Sequence, residues 1–68
     1  MKLYFGKETN KQFIAEVADE KEAMIEMRYY LKEIGWGEPY YWRMWFSQDQ
    51  SYSIYDFGSW STFFFLYS

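Results

Sequence analysis

The sequence predicts an α+β fold, with a single antiparallel sheet in the chain order ββαβββ and one helix packed across one face. Three observations lead there. Residues 20–34 are dense in helix formers, with apolar side chains at helical spacing. Five other stretches alternate as strands do, separated by short turn-forming clusters. No linker, repeat or low-complexity tract divides the chain, so residues 1–68 are expected to form a single domain.

Taken in order, residues 2–5 and 12–17 read as two strands of a hairpin, with turn chemistry supplied by Gly6-Lys7-Glu8-Thr9-Asn10. Strict alternation puts Leu3 and Phe5 on one face, and Phe13, Ala15 and Val17 together on one face. Asp19 then offers an acceptor to the first turn of a helix, and Glu22 three residues on completes an approximate capping box. Ala23, Met24, Met27, Tyr30, Leu31 and Ile34 gather on one stripe of that helix. Gly35 stops it in the left-handed conformation, with Trp36 placed to fold back on Leu31. Beyond Pro39, residues 40–46, 52–57 and 62–67 read as three strands; Ser47-Gln48-Asp49-Gln50-Ser51 and Gly58-Ser59 make the turns.

Composition is polarised along the chain. Thirteen of the seventeen charged residues precede Trp36, and fourteen of the nineteen aromatics follow Gly35. The aromatic strands therefore carry apolar side chains on both faces. Trp42, Met44 and Phe46 oppose Tyr41, Arg43 and Trp45; Tyr52 and Ile54 oppose Tyr55 and Phe57; Phe64 and Leu66 oppose Phe63, Phe65 and Tyr67. One helix covers one face only. The second face is closed either by a tight curl of the sheet or by another protein. The expectation is a homodimer, because a two-fold contact needs only one self-complementary patch. Tyr41, Trp45, Tyr55, Phe63, Phe65 and Tyr67 are its candidate self-association residues, with Phe65 at the centre.

Several function classes fall away. The net charge of −3 has the wrong sign for general nucleic-acid binding, and Arg43 is the only basic residue in the aromatic half, so no direct nucleic-acid contact is expected. With neither Cys nor His there is no disulfide framework and no thiolate or imidazole ligand for a metal. Asp49 and Asp56 have no histidine to work with, so no catalytic, metal or cofactor site is assigned and the chain reads as a non-enzyme. Asp56-Phe57-Gly58 spells the magnesium-binding triplet of protein kinases, but no phosphate loop or catalytic loop accompanies it. The start lacks the apolar core of a signal peptide, and the apolar run 63–67 falls far short of the roughly 20 residues of a membrane span. A cytoplasmic protein without a membrane partner is expected.

The outer side of the helix carries Glu22, Glu26 and Glu33 as an acidic stripe beside Ile25 and Tyr29. One reading is a solvated face with a tolerated apolar pair; the other is a docking patch for a basic protein. Asp49 and Trp60 complete the candidate partner-binding set.

Residues 54–64, Ile54-Tyr55-Asp56-Phe57-Gly58-Ser59-Trp60-Ser61-Thr62-Phe63-Phe64, resemble a pattern in small phage and prophage proteins of Gram-positive bacteria. Those proteins finish with Asp, an aromatic, Gly-Ser, a His or Trp, two variable residues and Phe-Phe. The match is specific over that stretch and general in style elsewhere; Trp60 stands where His is commoner, and no charged tail follows the last strand. Small phage proteins of this kind include inhibitors of host defence, anti-CRISPR proteins among them, which act by binding. The resemblance implies a phage-encoded inhibitor in the cytoplasm of a bacterial host, occupying a basic or nucleic-acid-binding surface of a host protein. An oligomeric sponge for a nucleotide signal and an accessory phage protein without inhibitory role stay open beside it. Asp56, Phe57, Gly58, Ser59, Phe63 and Phe64 carry over as fold determinants, Gly58 by permitting a tight turn and Asp56 and Ser59 by bonding turn amides.

Overall fold

The computed structural model describes residues 1–68 and places six elements in the chain order ββαβββ. They are β1 (Lys2–Lys7), β2 (Asn10–Glu16), α1 (Glu20–Glu33), β3 (Arg43–Phe46), β4 (Tyr52–Asp56) and β5 (Phe63–Tyr67). The strands form one antiparallel sheet in the order β2-β1-β5-β4-β3. The last strand in the chain is thus the middle strand of the sheet. Lys2 faces Tyr67 and Gly6 faces Phe63 on one side of β5, while Tyr55 faces Phe64 and Tyr52 faces Tyr67 on the other. A run such as Phe63-Phe64-Phe65-Leu66 suits that place, because a middle strand has no free edge to pair with another chain.

α1 forms where its capping residues direct it. Asp19 accepts the N–H of Glu22 at 2.9 Å, and the Glu22 carboxylate accepts the N–H of Ala18 at 3.0 Å. At the other end Gly35 sits at φ +82°, the N–H of Trp36 donates to the Leu31 carbonyl at 2.9 Å, and the N–H of Gly35 donates to that of Lys32 at 3.1 Å. Those two bonds make a Schellman cap. The helix buries Ala23, Met27 and Leu31 against Leu3, Val17, Tyr55, Phe57, Phe64 and Leu66, with Met24, Tyr30 and Trp42 at the margin of this core. Ile34 departs from the expected stripe. It is the C-cap residue, already past the last turn that faces the sheet, and is 47% exposed.

Two further departures have local causes. β1 and β2 pair Leu3 with Ala15 but Tyr4 with Phe13, so Ile14 is an extra residue on β2. This bulge reverses the alternation beyond it. Ala15 and Val17 stay with the core, while Phe13 packs on Tyr4 at 5.5 Å on the far face. β3 begins at Arg43 instead of residue 40. Tyr40 leaves the strand path to lie on Gly58, and Trp42 tips inward toward Phe57 and Phe64, with ring centroids 6.5 and 6.3 Å away.

The far face of the sheet carries an aromatic ribbon. Its rings run Phe13, Tyr4, Tyr67, Tyr52, Phe65, Phe63 and Trp45, with successive centroids 5.5, 5.3, 4.6, 5.9, 6.4 and 6.0 Å apart. Edge-on and tilted contacts of this kind add about 0.5–1.5 kcal/mol each beyond area burial. The β1–β2 hairpin curls over the middle of this ribbon. Lys11 Nζ lies 4.8 Å from the Phe65 centroid and 5.1 Å from that of Tyr52, and the Tyr52 hydroxyl donates to the Glu8 carboxylate at 2.7 Å. Phe65 is consequently 1% exposed and Ile54 8%. Curling of the sheet, not a second protein, closes the centre of this face.

Candidate functional site

The β4–β5 connection is organised by the residues of the Asp-Phe-Gly-Ser stretch. Asp56, the last residue of β4, is buried and accepts three bonds: from the Gly58 N–H at 3.0 Å, the Arg43 guanidinium at 2.9 Å and the Tyr41 hydroxyl at 3.3 Å. Burial pushes its carboxyl up; the Gly58 amide, Arg43 and Tyr41 together outweigh this and hold it below the ordinary carboxylate range. Phe57 is fully buried against Trp36 (5.1 Å) and Phe64 (5.4 Å). Gly58 stands at φ +107° with the Tyr40 side chain against its α-carbon, and the Ser59 hydroxyl bonds Thr62 through both its Oγ1 (2.7 Å) and its N–H (3.3 Å). Phe64 enters the core beneath α1. Each of these residues has a contact that explains its place.

Trp60 does not. It stands at the tip of the same loop, 98% exposed. Close to the start of that loop, Trp36 and Tyr40 pack on each other at 5.8 Å, with Tyr40 79% exposed and Ile34 beside Trp36 in the chain. One end of the molecule thus presents Ile34, Trp36 and Tyr40 next to the loop that carries Trp60. Glu33 and Glu38 bracket the Ile34–Gly37 segment there. Large exposed aromatic groups of this kind, rimmed by charge, mark interaction surfaces.

The outer face of α1 holds its apolar pair as expected: Ile25 is 59% and Tyr29 61% exposed. The Tyr29 phenol is raised above its ordinary range, first by hydrogen bonding to Glu33 one turn on, then by the charges of Glu33 and Glu26. Glu26 and Glu33 therefore gather about Tyr29, whereas Glu22 is drawn back into the N-terminal cap by Ala18.

Five expected site residues are relocated. Asp49 lies in the β3–β4 turn, at the opposite end of β4 from Trp60, so the two share no surface. Its carboxylate accepts the Ser47 hydroxyl, the Ser51 hydroxyl and the Ser51 N–H at 2.8–3.1 Å, bonds that hold it below the ordinary carboxylate range. It is a turn residue. For the same reason Asp49 and Asp56 cannot act as a pair. Tyr55 sits on the helix side of β4, and its hydroxyl donates to Glu20; burial, then that bond, raise its phenol well above the ordinary range. It is core. Phe65, expected at the centre of a dimer, is covered by Lys11, Tyr52 and Phe63 of its own chain. Phe63 and Tyr67 are half-buried in the ribbon, which leaves Tyr41 (47% exposed) and Trp45 (40%) as the open members of that set.

Alternation in the strands could not have shown the exposed end. Its signal lay in the helix cap followed by Gly37-Glu38-Pro39, a segment too short and too turn-rich to bury both Trp36 and Tyr40. No helix is long and apolar enough to cross a membrane. Comparison with protein-family models, with characterised proteins and with solved structures finds no match to this chain.

Proposed function

We propose that this chain is a non-catalytic binding protein that inhibits a host defence protein by occupying a basic or nucleic-acid-binding surface, with Trp60 as its anchor. The observation that carries the reading is the 98% exposure of Trp60 on a loop already fixed by Asp56, Ser59 and Thr62. A tryptophan docked from a pre-ordered loop avoids most of the ordering cost of binding, and Trp is the residue most enriched among interface hot spots. Glu26, Glu33 and Glu38, in a chain of net charge −3, favour approach to a basic partner. The phage setting rests on the resemblance of residues 54–64.

Both arginines are engaged within the chain, Arg43 by Asp56 and Arg28 over the Trp42 ring at 6.0 Å. Only Arg43 has its guanidinium committed to a carboxylate, so at most one arginine per chain is left for the phosphates of a nucleotide signal, which favours the protein-binding reading over the sponge. Self-association is the second component of the proposal, through the rim where Tyr41 and Trp45 remain open.

Expression in a bacterium with a defined nuclease-based defence, followed by phage challenge, tests the reading. The wild-type chain should restore plaquing, and Trp60→Ala should lose that effect at an unchanged melting temperature, since Trp60 packs on nothing. No restoration against any such system, or full restoration by Trp60→Ala, overturns it.

A further inference from the structure

The two edges of the sheet differ in kind. β2 is a guarded edge: it carries Lys11 and Glu16 and is kinked by the bulge at Ile14. Charges and bulges are the means by which natural sheets prevent pairing with other chains. β3 has no such guard. Its residues Arg43, Met44, Trp45 and Phe46 are all exposed, and its one charge is held on Asp56. The backbone is open as well. The Ser47 N–H donates to the Tyr52 carbonyl at 2.9 Å, in the same register that pairs Trp45 with Ile54 and Arg43 with Asp56. Hydrogen-bonded and non-bonded pairs alternate along an antiparallel ladder. The N–H and C=O groups of Met44 and Phe46 therefore point away from β4, toward the empty side.

We propose that β3 is a dimerisation edge, its open side pairing antiparallel with β3 of a second copy about a two-fold axis at Met44. This deepens the self-association in the functional reading and rests on it. The register follows from the side chains. Centring on Met44 sets Met44 against its own counterpart, Arg43 against the partner's Trp45, and Trp42 against the partner's Phe46. Every pair is apolar or cation over ring, and none sets like charges together. Centring on Arg43 would oppose two guanidinium groups. Centring on Trp45 would leave Arg43 against Ser47 and put the outward groups of only two residues per strand into the ladder. The exposed parts of Tyr41, Met44, Trp45 and Phe46 come to on the order of 400 Å² per copy. With the ladder backbone, the pair buries about 1,000 Å², the lower bound of a specific interface and the size class of weak association, so dissociation on the order of 10 µM is the range to search.

Sedimentation across a dilution series through that range tests the proposal. The wild type should pass from dimer to monomer on dilution. Met44→Lys and Met44→Glu each place like charges across the axis and should be monomeric alone, while their equimolar mixture should associate. Met44→Pro removes an outward N–H that β4 does not use, together with the methionine side chain, and should weaken the dimer by more than about 100-fold while the monomer still folds in dilute solution. A wild type that stays monomeric overturns both this interface and the self-association in the functional reading. A wild-type dimer that survives Met44→Pro, or charge variants whose mixture stays monomeric, overturns the edge geometry alone.

Discussion

Gly58→Ala is the sharpest probe of the loop that carries Trp60. A β-carbon at residue 58 would lie 2.8 Å from Tyr40 Cδ2 and 2.9 Å from Tyr40 Cβ, closer than real Cβ contacts come. The backbone there has φ +107°, which costs a non-glycine residue about 1–2 kcal/mol. The steric part is separate. The Tyr40 ring is mostly exposed and could swing away, but its Cβ is tied to the backbone, and the Tyr40 N–H is bonded to the Phe57 carbonyl at 3.1 Å. Relief needs a backbone shift or loss of the Trp36–Tyr40 contact, adding about 1–2 kcal/mol as over-packing usually does. The expected total is about 3 kcal/mol, a fall in melting temperature of roughly 10–25 °C for a domain of this size. Thermal unfolding followed by far-UV circular dichroism reads it. In a double-mutant cycle, Tyr40→Ala should remove about 1 kcal/mol of the penalty, because it clears the Cδ2 and Cγ contacts and leaves only that of the Cβ. A fall of less than about 4 °C, or no coupling to Tyr40→Ala, would refute the argument that Tyr40 packs on the glycine.

Three other outcomes follow from the same structure. Gly35→Val should cost more than about 1 kcal/mol, measured by urea unfolding; nothing lies near its β-carbon position, so the whole effect is backbone strain at φ +82°. Asp56 is held below its unfolded range, so its stabilisation is complete above about pH 4 and is lost as pH falls through the lower folded value; Asp56→Asn should cost about 2 kcal/mol at neutral pH and flatten that acid limb. Tyr55 is the opposite case. Its raised phenol contributes stability that is complete below about pH 10 and is lost as pH rises through the higher folded value, so Tyr55→Phe should cost about 1 kcal/mol at neutral pH and extend alkaline stability.

What could be read in advance was what depends on near neighbours. The Asp19–Glu22 cap, the Gly35 stop and the alternation within each aromatic strand are decided within a few residues and stand as expected, although Tyr55 lies on the helix side and not with Phe65. The errors arose where one distant event changed many positions. A single extra residue at Ile14 moved Phe13 to the opposite face, and nothing in residues 12–17 signals a bulge. Alternation alone gives Phe65 to a partner, because it cannot show that Lys11, over fifty residues earlier, reaches across β1 to cover it. Asp49 reads as a steering charge by its sign alone, although serines flank it at two residues on either side, a spacing suited to a self-satisfied turn. Trp60 was the converse. It belonged to a recognisable stretch, but only the packing of every neighbour revealed it as the member without a structural task.

The middle position of β5 has a consequence for the order of assembly. β1 with β2, and β3 with β4, are hairpins of near neighbours that can pair as soon as they leave the ribosome. Neither touches the other in the sheet; each meets only β5, the last strand to emerge. Until then Leu3, Phe5, Met27 and Leu31 have no Phe64 or Leu66 to close on, and the helix has half a floor. The first and last strands must then be drawn together across nearly the whole sequence, Lys2 to Tyr67, in one step whose loop-closure cost is met only when the aromatic strand slots between the two hairpins. Folding should therefore be a single late event, slow for a chain of this length, and removal of residues 63–68 would leave two unjoined hairpins and an uncovered helix.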